Sequence, residues 1–343
     1  MFVILLLPIY YVALQNNKDK TLFWFGVLLL FILSAFRATT VGVDTVGYMA
    51  TYRAARMTNI SAIWDSFITN EPLYKSIEYY CSKWGLSYRF FMGVQTFFFL
   101  TPIATGLQRL REKPIASLAY LILLGYFFCS LNITRQLLAL SFCFLSYVLL
   151  EEKKYIWSIL VLLLAPGFHT TALLAVVVYA LYFVKPSKYI FIGLLLVSYI
   201  VPLMYDLSSY MIQFVESISV FDSFLFYIED DFTDIGRLPI YNTLRTGIFV
   251  FALFNYKPKD RERDLFFNLS LLAVIVHNLL YGVPSWAGRI VYYFDIAFIV
   301  FFVRWSKKNT IVTIITLVYA FIYYAHHYIL QHQEGIFPFV LDF

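Results

Sequence analysis

YIWSILVLLLAPGFHTTALLAVVVYALYFV, residues 155–184, runs from Lys153 and Lys154 on one side to Lys185 and Lys188 on the other. It is apolar throughout and longer than the roughly 20 residues that cross a bilayer once. A Pro-Gly break falls inside it, at Ala165-Pro166-Gly167, where a helix cannot continue undisturbed. The stretch therefore reads as two antiparallel crossings, 155–166 and 168–184, with the lysines at both ends on one side of the membrane. Its one histidine, His169, opens the second crossing.

The rest of the chain has the same character. Of its 343 residues, 61% are hydrophobic and 14% charged, against about 45–50% and about 25% in ordinary soluble domains. That excludes a soluble two-domain protein. Apolar runs place helices near 1–14, 21–36, 90–107, 115–131, 136–150, 155–166, 168–184, 189–205, 240–256, 265–282, 290–303 and 310–328. The expectation is an all-α polytopic membrane protein of about 12 transmembrane helices, with 1–343 as a single transmembrane domain. Residues 1–15, MFVILLLPIYYVALQ, lack a basic n-region and a cleavage site before Lys18, so they read as a retained first helix.

Basic residues orient the bundle. Lys18 and Lys20, Arg109 to Lys113, Lys153 and Lys154, Lys185 and Lys188, Lys257 to Arg263, and Arg304 to Lys308 fall in alternate connections. That side is cytoplasmic by the positive-inside rule, which puts both termini and the long segments 37–89 and 206–239 outside. In 37–89, Gly42 and Asp44 precede a short helix, TVGYMATYRAARM, with Asp44 at the N-cap. Pro72 and Gly85 bracket an amphipathic helix carrying Leu73, Ile77, Tyr80 and Trp84. Segment 206–239 is acidic, with Arg237 as its single basic residue, and reads as a solvated cap.

The formal charge of +5 is accounted for by topology, so it points to no nucleic-acid partner. Cys81, Cys129 and Cys143 form no C-x-x-C pair, which argues against a disulfide framework or a thiolate metal site. No Walker, dinucleotide-binding or H-E-x-x-H motif is present. His326, His327 and His332 lack carboxylates at helical spacing, so no metal is expected there.

The outer basic residues are mostly arginines: 37, 53, 56, 89, 135, 237, 245 and 289, beside Lys75 and Lys83. Arginine presents a planar fork suited to phosphate or carboxylate. Arg89, Arg135, Arg237 and Arg289 fall at expected helix N-termini, with Arg245 just inside another, where the helix end is already positive. Cations there call for an anion between them, either a ligand or an outer carboxylate. Arg37, Arg135 and Arg289 are the leading anion-binding candidates. His169 and Asp44 are the candidates for a base. An inward-running helix at His169 would favour a neutral, proton-accepting imidazole, whereas an N-cap role would occupy Asp44. His277 and Asp295 lie within expected helices and are functional candidates by position. Tyr48 and Tyr52 share a helix face that suits stacking on sugars or packing on the membrane surface.

Several of these stretches resemble the EpsG-like, Wzy-type polymerases of bacterial O-antigens and exopolysaccharides. They are Phe36-Arg37 with Gly42-Val43-Asp44-Thr45, Tyr48 and Tyr52; Asn132-Ile133-Thr134-Arg135-Gln136 with Ala139; Phe168-His169; and Arg289 with Tyr292, Tyr293 and Phe294. The match spans roughly residues 35 to 300 and leaves out the acidic segment and the last forty residues. The resemblance implies a metal-independent membrane glycosyltransferase of GT-C-like plan, without cofactor, at the outer face of the bacterial plasma membrane. It would join oligosaccharide repeat units carried on undecaprenyl pyrophosphate, alongside a flippase and a chain-length regulator. It also implies substrate contacts for Arg37, Gln136, Arg135, Arg245, Arg289, Tyr48, Tyr52 and Tyr293. A lipid-linked sugar flippase and a glycan acyltransferase are the competing classes. The first should show internal repeats and midplane polar groups; the second needs a cytoplasmic His and Arg pairing that the sequence does not offer.

Overall fold

The computed structural model describes residues 20–342 apart from 111, 186, 206, 208–209, 211–239, 258–263, 282–287 and 308. The expected first helix and nearly all of the acidic segment lie outside the described residues. Among the described residues the secondary structure is helical, with one isolated antiparallel bridge between Arg37 and Leu341.

Among the described residues, three helices are long and apolar enough to cross a membrane: Tyr88–Leu110, Thr134–Glu151 and Thr310–Leu330. A fourth span forms if Pro114–Leu123 and Tyr126–Asn132, bent by 54° across a short break, count together. Five further apolar helices have 10–17 residues. About twelve spans is therefore not confirmed among the described residues, and two of the expected helices depart from continuous α winding. The expected helix 168–184 winds as a 3₁₀ helix over Thr170–Val176 before a short α-helix, Val177–Tyr182. The expected helix 290–303 is split into Arg289–Val291, Tyr292–Asp295 and Phe298–Ser306.

The described residues fall into two compact units, one within 1–173 and 299–343 and the other within 174–298. The first is built around Thr134–Glu151, which packs against Tyr88–Leu110 and Tyr155–Leu164. Small residues permit the close approach. A Cβ on Gly106 would stand 2.7 Å from Phe144 Cε1. Ser146 and Ser158 exchange hydroxyl-to-carbonyl hydrogen bonds of 2.9 Å, each satisfying a polar group where water is absent. At one end of this unit, Arg304 binds Glu151 at 2.5 Å and Glu112 at 3.3 Å, while Arg109 pairs with Glu152. Cys81, Cys129 and Cys143 are buried thiols that form no disulfide.

At the other end, two short helices lie over the bundle. Thr45–Ala54 and Ala55–Met57 together match the expected 45–57 helix, and Pro72–Lys83 matches the amphipathic one, with Pro72 in its first turn and Gly85 at φ +72° beyond its end. Tyr52 stacks on Phe91 at 4.9 Å and donates to Leu86 O, and Tyr74 accepts from Gln95 Nε2 at 2.9 Å. Both contacts fix the short helices to Tyr88–Leu110.

In the second unit, Leu265–Leu279 packs against Lys188–Met204 and Ile240–Asn255. Asp264 caps it by accepting from Phe267 N at 3.1 Å. Asn268 donates to the Leu181 and Val184 carbonyls at the end of Val177–Tyr182.

Candidate active site

The Pro-Gly break that splits residues 155–184 also builds the site. Helix Tyr155–Leu164 ends in a 3₁₀ turn, Ala165–Gly167, and a Cβ on Gly167 would come within 2.6 Å of Leu73 Cγ. Glycine therefore lets this turn press against the start of Pro72–Lys83. Phe168 anchors it from the other side by stacking on Phe142 at 4.9 Å. His169 follows at once and is carried up to Glu71.

Glu71 precedes Pro72 and adopts φ +50°, ψ +55°, a left-handed conformation that costs a non-glycine residue about 1–2 kcal/mol. Its side chain does not cap the helix it begins. It turns instead to other elements, and both oxygens are used. Oε1 lies 2.6 Å from His169 Nδ1 and 3.4 Å from the Thr170 amide; Oε2 accepts from Arg135 Nη1 at 2.7 Å. Burial alone would raise the Glu71 pKa, but the hydrogen bond to His169 and the Arg135 charge outweigh it and hold the carboxyl below its ordinary value.

Arg135 is the second residue of Thr134–Glu151, immediately after the break at Ile133. Its guanidinium lies over Tyr48 at 5.8 Å and Tyr74 at 5.9 Å. The Glu71 side chain is 8% exposed and that of Arg135 39%, so the carboxylate is enclosed while the arginine side chain is partly exposed. Tyr48 has its pKa raised, by burial first, against the opposing pull of Arg135. The site thus holds one imidazole and one guanidinium on one buried carboxylate, flanked by tyrosines.

Asp44 corrects an expectation. It occupies the N-cap position of Thr45–Ala54 but makes no side-chain cap bond. Its backbone N–H donates to Asn132 Oδ1 at 2.6 Å, so the segment is held through the main chain. The helix-start argument for His169 also changes, because a 3₁₀ helix follows it; its orientation comes from Glu71. Tyr52 is 5% exposed with its ring against Phe91 and Tyr88, a packed position and not a sugar-stacking one.

Arg37 is 3% exposed and donates to the carbonyls of Ser34 at 2.7 Å and Leu131 at 3.2 Å. It ties the end of Lys20–Ala35 to the end of Tyr126–Asn132. Gln136 is buried beside Arg135. The first unit therefore contains Arg37, Asp44, Tyr48, Tyr52, Arg135, Gln136 and His169, and the second contains Arg245, Arg289 and Tyr293. Tyr293 is fully buried, and Arg289 stands in the 3₁₀ turn before it. Arg245 is 4% exposed, with no partner for Nε or Nη1 among the described residues. His277 Nε2 and Asp295 Oδ2 are 3.0 Å apart.

Glu71 and Tyr74 were not singled out from sequence, and Asn132 entered only as the first residue of the Asn132-Ile133-Thr134-Arg135-Gln136 motif. A carboxylate directly before a helix-starting proline was the signal for Glu71. Among the described residues no group of three His, Cys, Asp or Glu side chains could hold a metal ion.

An apolar helical bundle with a polar His-Glu-Arg cluster at one end of a compact unit is the arrangement of a membrane protein with a site for polar chemistry. The sequence profile of the EpsG family matches residues 20–341, nearly the whole chain. The chain belongs to that family, which comprises Wzy-like polysaccharide polymerases. No curated protein and no solved structure gives a significant match.

Proposed function

We propose that this protein polymerises a bacterial surface polysaccharide at the outer face of the plasma membrane, from repeat units carried on undecaprenyl pyrophosphate. The observation that carries the reading is the pairing of His169 and Arg135 on the two oxygens of Glu71. With Nδ1–H donated to the carboxylate, the lone pair of His169 lies on Nε2. Nε2 then takes the proton of the acceptor sugar hydroxyl as its oxygen attacks the anomeric carbon of the growing chain. The bond from that carbon to the pyrophosphate breaks, and the leaving oxygen keeps the electron pair. The Arg135 guanidinium, with Tyr48 beside it, stabilises the developing negative charge. Arg289 and Arg245, in the second unit, are further candidates for contacting pyrophosphate or glycan.

Asp44 is the competing base, because its carboxylate is not engaged in capping. It lacks the orienting partner that His169 has in Glu71, which favours the histidine.

Reconstitution in lipid vesicles with purified undecaprenyl-pyrophosphate-linked repeat units tests the reading. Long glycan ladders that persist in the presence of a chelator are the expected result. Translocation of the units without ladders indicates a flippase, and acyl transfer to the glycan indicates an acyltransferase; either outcome overturns the proposal.

A further inference from the structure

The segment 331–342 runs back across the site-bearing end of the first unit. Val340 O accepts from Ala38 N at 2.9 Å, Asp342 N donates to Phe36 O at 2.9 Å, and Arg37 and Leu341 form the antiparallel bridge. Further along, Gly42 N donates to Gly335 O at 3.0 Å and Val43 N to Glu334 O at 3.1 Å. The strap thus follows the chain from Phe36 to Val43, the residues that lead into Asp44 and Tyr48.

Its side chains add a second tie. Glu334 Oε2 accepts a hydrogen bond from Asn132 Nδ2, and the other end of the same amide, Oδ1, accepts from the Asp44 amide. Asn132 is 2% exposed and stands three residues before Arg135. Its amide orientation is dictated on both sides, since only Nδ2 can donate to a carboxylate and only Oδ1 can accept from an N–H. Glu334 reaches it from a left-handed backbone at φ +62°, unfavourable for a side-chain-bearing residue, in a segment where His332 and Gly335 are also at positive φ. The neighbouring approaches are close: a Cβ on Gly335 would meet Val43 Cγ2 at 2.8 Å, and one on Gly42 would meet Leu131 O at 2.6 Å.

We infer that Glu334 is a positioning residue. Through Asn132 it holds the 42–48 segment, with Asp44 and Tyr48, in register with the helix start that carries Arg135. The inference rests on the proposed polymerase reading only for its consequence in activity; the register itself is independent of that reading. The backbone ties alone would fix the strap to 36–43. Beside the Arg37 bond to Leu131 O, the Glu334–Asn132–Asp44 chain carries that fixation to the turn from which the Arg135 helix starts.

The test compares Glu334→Ala, Glu334→Gln and the native protein in vesicles, using amide hydrogen exchange and ladder formation. The Gln variant retains an oxygen that can accept from Asn132 Nδ2, and the Ala variant does not. In Glu334→Ala, exchange across 42–48 should rise at least about tenfold while exchange across 136–150 is unchanged, and the polymerisation rate should fall about tenfold with KM preserved. That equals about 1.4 kcal/mol at 1.36 kcal/mol per tenfold. Glu334→Gln should restore both. If native protein makes no polymer but the exchange pattern appears and is restored by Gln, the polymerase reading fails while the register assignment stands. Unchanged exchange across 42–48 in Glu334→Ala overturns the inference. So does a rise spread over the whole first unit that Gln does not restore, because that marks a general packing role.

Discussion

Replacing Glu71 by Gln changes one oxygen to an NH₂ group, keeps the volume, and forces a choice. Arg135 Nη1 can only donate, so the remaining amide oxygen must face it at the position of Oε2. The NH₂ group then faces His169 Nδ1, 2.6 Å from the present Oε1. Against an amide donor, Nδ1 becomes the acceptor and the imidazole proton moves to Nε2. The base is still present, in the tautomer that cannot take a proton. A positioned general base contributes about 10²–10⁴-fold to rate, so ladder formation should fall within that range. The cost in stability is smaller. A hydrogen bond to a charged group is worth about 1.5–3 kcal/mol, and the Arg135 side chain is 39% exposed, which screens its share. A loss of about 1.5 kcal/mol should leave membrane abundance near normal.

The assay is single-turnover transfer between lipid-linked units in vesicles, with a thermal melt in detergent. The double variant Glu71→Gln/His169→Gln should be no slower than His169→Gln, since Glu71 acts through the histidine. Normal ladders from Glu71→Gln, or a double variant slowed by the product of the two single effects, would refute the reasoning. Acid gives a second check. The Glu71 pKa is lowered in the folded state, so its contribution to stability is complete above the ordinary carboxylate value and is lost as pH falls through the folded one. The acid limb of the stability profile should flatten in the Gln variant.

Four other outcomes follow from the same geometry. Arg135→Lys and Arg289→Lys keep charge but lose the fork, and each should slow polymerisation about 10–150-fold, equivalent to about 1.5–3 kcal/mol of charge-assisted contact; full activity in both removes the pyrophosphate assignment. His169→Gln should abolish ladders at normal abundance while Asp44→Asn retains partial activity, and the reverse result makes Asp44 the base. Glu78 is buried with its pKa raised, by burial first and against the hydrogen bond from Thr51, so the native protein loses stability as pH rises from the ordinary carboxylate value through the raised one; Glu78→Gln should therefore melt higher at neutral pH and show no gain in acid. A single cysteine near Asn59 should react with an impermeant thiol reagent in intact cells and one near Arg261 should not; labelling at Arg261 inverts the topology.

Much of the helical layout was legible because apolar runs are long and sharply bounded by basic residues. Tyr88–Leu110 and Thr134–Glu151 fall within two residues of the expected spans at their starts. What the runs do not encode is how the backbone hydrogen bonds close. Residues 170–176 are as apolar as their neighbours yet wind as a 3₁₀ helix, and nothing in hydropathy separates 3₁₀ from α winding. Tyr292–Asp295 and Phe298–Ser306 are likewise divided inside the expected helix 290–303, just after Asp295. Hydropathy therefore marks where the chain is apolar and leaves open where its helices break.

The site was half legible for a different reason. Arg135 and His169 stood out because a cation at a helix start and a histidine after a Pro-Gly break are locally unusual. The requirement for an anion between such groups was also readable, but its source was not. Glu71 lies 64 residues before Arg135 and 98 before His169, and its left-handed backbone, which aims the carboxylate away from its own helix, leaves no mark in composition. Its identity changes the chemistry. A phosphate that displaced Glu71 from Arg135 would also loosen the carboxylate's hold on His169, setting phosphate binding against the orientation of the base. The two functions are compatible when Glu71 keeps both partners and the phosphate meets the exposed part of Arg135. The Arg135 side chain is 39% exposed beside an 8% exposed carboxylate, so part of it stays accessible while Glu71 keeps both partners.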